Sequence, residues 1–206
     1  MNKGSLFIVS APSGCGKDTV LTELFKIAPQ IKFSISCTCR PERSPADREK
    51  YHLISREQFL HMLDNNELLE HNEYNGNFYG TPRKPVEDWT NSGFDVILEV
   101  DINGAANVKR VVPEAVSIFI MPPSFSALEQ RLRGRGTESE EEIQNRLKIA
   151  AEELSHANEF DYICINDSIS QCVDDILSVI KAQSFTNNKM KKFIQEVEKD
   201  AESFNR

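Results

Sequence analysis

The chain has 206 residues, 39% of them hydrophobic, and a formal net charge of −8. That length suits one substantial core with a small inserted lobe, and a mean hydropathy of −0.44 without any apolar run of membrane-spanning length predicts a soluble, cytoplasmic protein. The acidic balance excludes a broad nucleic-acid or anionic-membrane surface, because such surfaces are met by matched lysines and arginines; any phosphate site must be local.

The apolar run "SLFIVS" (5–10) predicts a strand, and the turn "APSGCGKDT" (11–19) follows it directly. A helix is expected from Lys17 to Ala28, with Val20, Leu21, Leu24 and Phe25 on one face and Pro29 as its stop. Strand, glycine-rich turn and helix N-terminus together aim backbone N–H groups at an anion. The turn departs from G-x-x-x-x-G-K-[ST] twice: Ala11 stands where the first glycine belongs, and Asp18 where the metal-binding hydroxyl belongs, with Thr19 displaced by one position.

Next, "FSISC" (33–37) and "YHLIS" (51–55) predict short strands around a charged loop, and Ser55 with Gln58 predicts a capped helix start. The segment "ELLEHNEYNGNFYGT" (67–81) predicts a hairpin turning at Asn75-Gly76. This block is antiparallel in character and reads as an insertion over residues 33–92 between core segments 4–32 and 93–183.

The core resumes at "FDVILEVD" (94–101), and "AVSIFI" (115–120) and "DYICIN" (161–166) share its near-continuous apolar character, expected of strands buried on both faces of a parallel sheet. Asp101 at a strand end is a candidate magnesium ligand, together with Asp18. Ser124 opens a helix that runs into "RLRGRG" (131–136), and Thr137 with Glu140 forms a candidate capping box for a long helix to about Asn158. Residues 134–147 read as a small helical lid carrying Arg135 and Arg146, and 184–206 as an appended helical tail. Five cysteines form no C-x-x-C pair and read as reduced core fillers; the four histidines lack metal-ligand spacing.

These blocks, in this order and spacing, resemble the guanylate kinases over roughly Gly4 to Lys181. The segments that carry the likeness are "APSGCGKDT", "FSISCTCRPER", "NNELLEHNEYNGNFYGT", "ILEVDINGA" and "RLRGRGTESEEEIQNRL". The resemblance implies an α/β fold of the P-loop NTPase type, with a parallel sheet flanked by helices, an inserted GMP-binding lobe and a lid. It implies transfer of a phosphoryl group from ATP to GMP with magnesium, in a monomer or homodimer that binds small molecules and neither nucleic acid nor membrane.

Carried onto this sequence, ATP falls to Ala11, Pro12, Ser13, Gly14, Cys15, Gly16, Lys17, Asp18, Thr19, Arg131 and Asn166. The monophosphate falls to Arg40, Arg43, Tyr51 and Tyr79, and the guanine to Ser36, Glu70, Thr81 and Asp101. Lys17, Arg40, Arg135 and Arg146 are the cations the likeness implies at the transferring group. Asp18 and the Asn103 of "DING" depart from the family's usual residues.

The residue chemistry is independently suited to guanine. One carboxylate accepts from N1–H and the 2-amino group, while a hydroxyl donates to O6. Two other readings compete: a non-catalytic guanylate-kinase-like module that binds phosphorylated peptide, and a kinase acting on ribose 1,5-bisphosphate, which has no use for a guanine reader at Glu70 and Thr81. Lys17 and the arginines of the lid argue against the first.

Overall fold

The structure, a computed structural model, describes residues 3–42, 45, 47–74, 76–134, 136 and 139–204. Strand β1 (Leu6–Ser10) is buried along its whole length, as expected of an apolar run with helices on both sides. Helix α1 (Lys17–Ile27) follows the glycine-rich turn and buries Val20, Leu21 and Leu24, with Phe25 packed beside them. The expected strand at 33–37 divides in two. Residues Lys32–Ser34 form β2, which pairs in parallel with the core sheet, and Ser36–Thr38 form β3 of a second sheet, so only Ile35 separates them.

The lobe continues through α2 (Asp47–Lys50), β4 (Tyr51–Leu53), α3 (Arg56–Asp64), β5 (Leu68–Tyr74) and β6 (Asn77–Pro82). The Ser55–Gln58 capping box opens α3 as expected. Strands β5 and β6 pair in antiparallel register up to Tyr74 opposite Asn77, with Gly76 at φ 72° in the two-residue connection. Strand β4 pairs with β3 in parallel, so the four-stranded sheet, ordered β4-β3-β6-β5, is mixed. Its own small core holds Cys37, Phe59 and Leu68, with Phe59 and Phe78 stacked at 5.3 Å between ring centres.

The chain returns through α4 (Arg83–Asn91), whose Val86 packs in the same cluster as Leu6 and Ile8 of β1. The lobe sheet therefore spans residues 36–82, narrower than the 33–92 read from sequence. Strand β7 (Val96–Glu99), helix α5 (Ile102–Val111), strand β8 (Val116–Met121), helices α6 (Phe125–Gly134) and α7 (Glu140–Ser155), strand β9 (Tyr162–Ile165) and helix α8 (Ile169–Gln183) complete the core. Helix α9 (Asn187–Phe204) forms the tail.

The core sheet is wholly parallel, ordered β2-β7-β1-β8-β9. Helices α1 and α8 cover one face through Val20, Leu24, Val173 and Ile176, and α4 and α5 cover the other through Val86, Ala105 and Val108. Two expectations need correction. The β9 segment is not buried on both faces: it is an edge strand with Tyr162, Ile163 and Ile165 exposed. The box that caps α7 is Ser139 with Glu142, two residues later than expected; Thr137 lies outside the described residues. Five free cysteines are present, four of them buried. Among the described residues no helix is long and apolar enough to cross a membrane.

Candidate active site

The glycine-rich turn lies at the carboxyl end of β1, where an open parallel sheet leaves a crevice for ligands. Gly16, at φ 91°, precedes α1 in the left-handed region, and among the described residues no side chain caps that helix, which leaves its amide end for a ligand anion. Any Cβ at Gly16 would lie 3.1 Å from Asn166 Nδ2 as well as straining the backbone. The turn is held from outside by two side chains on a single atom. The Cys15 carbonyl accepts from Asn166 Nδ2 at 2.7 Å and from Arg131 at 3.2 Å, while Arg131 also donates to the Asn166 carbonyl at 2.8 Å. The Cys15 thiol is buried, and burial pushes it up to about 11, so it packs rather than reacts.

A cleft of about 470 Å³ opens from this turn toward the lobe, lined among others by Lys17, Ser36, Tyr51, Glu70, Tyr79 and Arg146. Lys17 makes an ion pair with Glu99, the last residue of β7. Pairing of Val9 with Glu99 puts that carboxylate level with the start of the turn. Asp101 is differently engaged: its Oδ1 accepts from the Gly104 amide at 2.7 Å, capping α5, and its Oδ2 accepts from Asn72 Nδ2 at 2.8 Å. Glu99, which sequence reasoning passed over, is thus the carboxylate that reaches the lysine. Asp18 pairs with Lys50 at 2.6 Å; burial raises its carboxyl, but Lys50 and Lys17 outweigh burial and hold it below the usual carboxylate range.

At the lobe end Glu70 is buried, and burial, with some help from the Asp101 charge, pushes it up to about 7 against the hydrogen bond from Thr81. Thr81 Oγ1 donates to Glu70 Oε1 at 2.8 Å and is itself buried behind the cleft lining, so it orients the carboxylate. Ser36, unlike Thr81, lines the open space. Tyr51 and Tyr79 meet edge to face at 6.0 Å, and burial pushes the Tyr51 phenol up to about 12. Arg40 is buried, stacks near Tyr51 at 5.6 Å and pairs with Asp47 at 3.1 Å. Arg43 and Arg135 lie outside the described residues.

From the lid side, Arg146 Nε donates to Ser13 Oγ at 3.1 Å, and Glu153 Oε2 accepts from the Ser13 amide at 2.7 Å. Glu153, also unanticipated, faces the phosphate turn from the last turn of α7, too far in sequence for any local pattern to reveal. Arg133, in the same "RLRGRG" stretch as Arg131, joins α6 to α7 through Glu129 and Glu140 on the exposed surface.

The sequence profile of the family described as "Guanylate kinase" matches residues 3–183, most of the chain. This protein belongs to the guanylate kinase family. The guanylate kinase of Desulfitobacterium hafniense (strain Y51) is 46% identical over 183 residues, covering 88% of this chain and 92% of its own. That of Carboxydothermus hydrogenoformans is 46% identical over 184 residues, covering 89% and 90%. Among solved structures, guanylate kinase from Anaplasma phagocytophilum superposes with a TM-score of 0.74 at 35% identity, covering 90% of this chain and 88% of that one. The family profile stops at residue 183, before helix α9, whereas the guanylate kinase of Hahella chejuensis is 44% identical over 203 residues, 98% of this chain.

Proposed function

We propose that the cleft runs ATP:GMP phosphotransfer as follows: the glycine-rich turn holds the triphosphate, the lobe holds GMP, and the phosphoryl group passes between them to give ADP and GDP. Activity as a guanylate kinase, a phosphotransferase, follows from the family and its curated relatives. The observation that carries the residue assignment is Glu70: a buried carboxylate with one oxygen fixed by Thr81 and the cleft in front of it. Ionised, it accepts from guanine N1–H and the 2-amino group, and Ser36 donates to O6. Adenine offers N1 as an acceptor and no 2-amino group, leaving a buried carboxylate with Thr81 as its donor and without the two that guanine brings.

Tyr51, Tyr79 and Arg40 hold the GMP phosphate, which has its second pKa near about 6 and so presents an ionised oxygen without a general base. Lys17 leaves Glu99 for the ATP phosphates, and Arg146 swings from Ser13 onto the transferring group, supplying charge where it accumulates. The donor chemistry fits magnesium. Asp18 and Glu99 both line the cleft beside Lys17, and this ion is ordinarily held by one or two carboxylates, with substrate phosphates and water completing its shell. Bound there, Mg2+ would neutralise the β- and γ-phosphates. With Asp101 committed to Gly104 and Asn72, its role lies in holding the GMP side of the cleft together.

A coupled assay of ATP turnover with GMP, dGMP, AMP, CMP and UMP tests the reading. GMP and dGMP should serve, with AMP about 10³-fold worse in kcat/KM or more, as for sites built on hydrogen bonds that the wrong substrate lacks. Comparable turnover of AMP would remove Glu70 from its role. Turnover of ribose 1,5-bisphosphate in place of GMP would favour the ribose-phosphate kinase reading.

A further inference from the structure

Helix α9 stands largely clear of the body of the protein. From Lys191 to Phe204 every residue whose side chain is described is exposed, and only Lys189 and Met190 are half-buried against the rest. An isolated helix of 18 residues is marginal in water unless an apolar face is covered. Met190, Ile194, Val197, Ala201 and Phe204 recur at alternating steps of four and three, the a/d pattern of a two-stranded seam, and Phe193 borders it. Val197 is 52% exposed and Phe204 91%.

We infer that α9 is a dimerisation helix that pairs antiparallel with α9 of a second copy of this chain. The charges select this occupant. The first half of the helix carries Lys189, Lys191 and Lys192, and the second half carries Glu196, Glu198, Asp200 and Glu202 against a single Lys199. Four positive and four negative charges leave the helix neutral, which disfavours an anionic membrane surface, where a basic polar face is required. An antiparallel partner lays basic half on acidic half. With the two-fold axis midway between Ile194 and Val197, Ile194 meets Val197 of the second copy and Met190 meets Ala201 of the second copy. Lys191 then flanks the seam beside Glu198 of the second copy. A parallel pair would bring the three-lysine halves together.

Sedimentation velocity of the full chain from about 10 to 200 μM, spanning weak and firm association, reads the equilibrium directly. The wild-type protein should shift from monomer to dimer, and Ile194→Asp/Val197→Asp should remain monomeric with its GMP-dependent turnover intact. Lys191→Glu should weaken the dimer about five-fold or more, and Lys191→Glu/Glu198→Lys should restore it, as expected for exchanged ion pairs made twice per dimer. A wild-type monomer throughout, a dimer that survives Ile194→Asp/Val197→Asp, or indifference to Lys191→Glu would overturn the inference. Binding to phosphatidylserine vesicles by a chain that stays monomeric would overturn it in favour of a lipid surface.

Discussion

Lys50 Nζ lies 2.6 Å from Asp18 Oδ2, tying the lobe's short helix α2 to the first turn of the helix behind the phosphate turn. The two side chains are 54% and 62% exposed, so the tie is weak and salt-sensitive, and any metal that uses Asp18 competes with it.

Lys50→Met should therefore lower the magnesium concentration for half-maximal turnover by about two- to five-fold, the scale of an exposed ion pair. Asp18→Ser should make turnover less steeply dependent on the metal. A magnesium titration of both variants beside the wild type checks this; identical curves for all three would make Asp18 a bystander.

Glu70 gives two pH effects of opposite benefit. Its carboxyl sits near about 7 when folded against an ordinary value of 4.5, so stability is fullest below 4.5 and falls as pH rises through 7. The difference is about 3 kcal/mol at alkaline pH. Glu70→Gln should accordingly raise Tm at pH 8 and lose that gain by pH 5, read by thermal unfolding.

For binding the sign reverses, because the ionised carboxylate is the form that accepts both guanine donors. Affinity for guanosine, used in place of GMP so that no phosphate titrates, should fall as pH drops from 8 to 6. Glu70→Gln should bind weakly and flatten the profile. Calorimetry over that range checks it; a wild-type affinity independent of pH would remove the carboxylate from base recognition.

Arg146 contacts Ser13 in the structure and is expected on the phosphoryl group only during transfer. Arg146→Ala should lower kcat about 10²-fold, the usual loss for one preorganised electrostatic contact, with KM for GMP little changed. An effect confined to that KM would contradict the role.

Arg131 and Asn166 converge on the Cys15 carbonyl and on each other. Each single alanine variant should raise KM for ATP, and the double variant should cost less than the sum of the two by about 1 kcal/mol, the range for side chains in one network. Strict additivity in a double-mutant cycle would mean that the two act on ATP separately.

Where the determinants are local, the sequence was a sufficient guide. Strand β1, the turn and α1 follow from an apolar run, two glycines and helical spacing, and the Ser55 box and the turn at Gly76 follow from short patterns. Glu99 and Asp101 end the same apolar run, and only the register of β7 beside β1 decides which one meets Lys17. Thr137–Glu140 and Ser139–Glu142 are overlapping caps that composition does not rank, and the structure uses the second. Glu153 acts across the fold on Ser13, through a contact that no sequence window spans, whereas Asp47 meets Arg40 from seven residues along the chain in a stretch that carries no helical or strand pattern linking them. The exposure of β9 depends on strand order, to which its own residues are blind.

The split at Ile35 gives the lobe the mechanics of a lever. Leu68 packs in the lobe's core and its neighbour Leu69 in the main one, so the lobe is pinned at Ile35 and at Leu69. Displacement on rotation about the line through these pins grows by about 3.3 Å of arm per strand residue. Ser36 and Glu70 sit one residue from a pin and scarcely travel, whereas Arg40 and the hairpin tip at Asn77 sweep a long arc. Closing such a lever would advance Arg40 on the phosphate while Tyr51, level with Ser36 in the sheet, and the grip on the base stay nearly still.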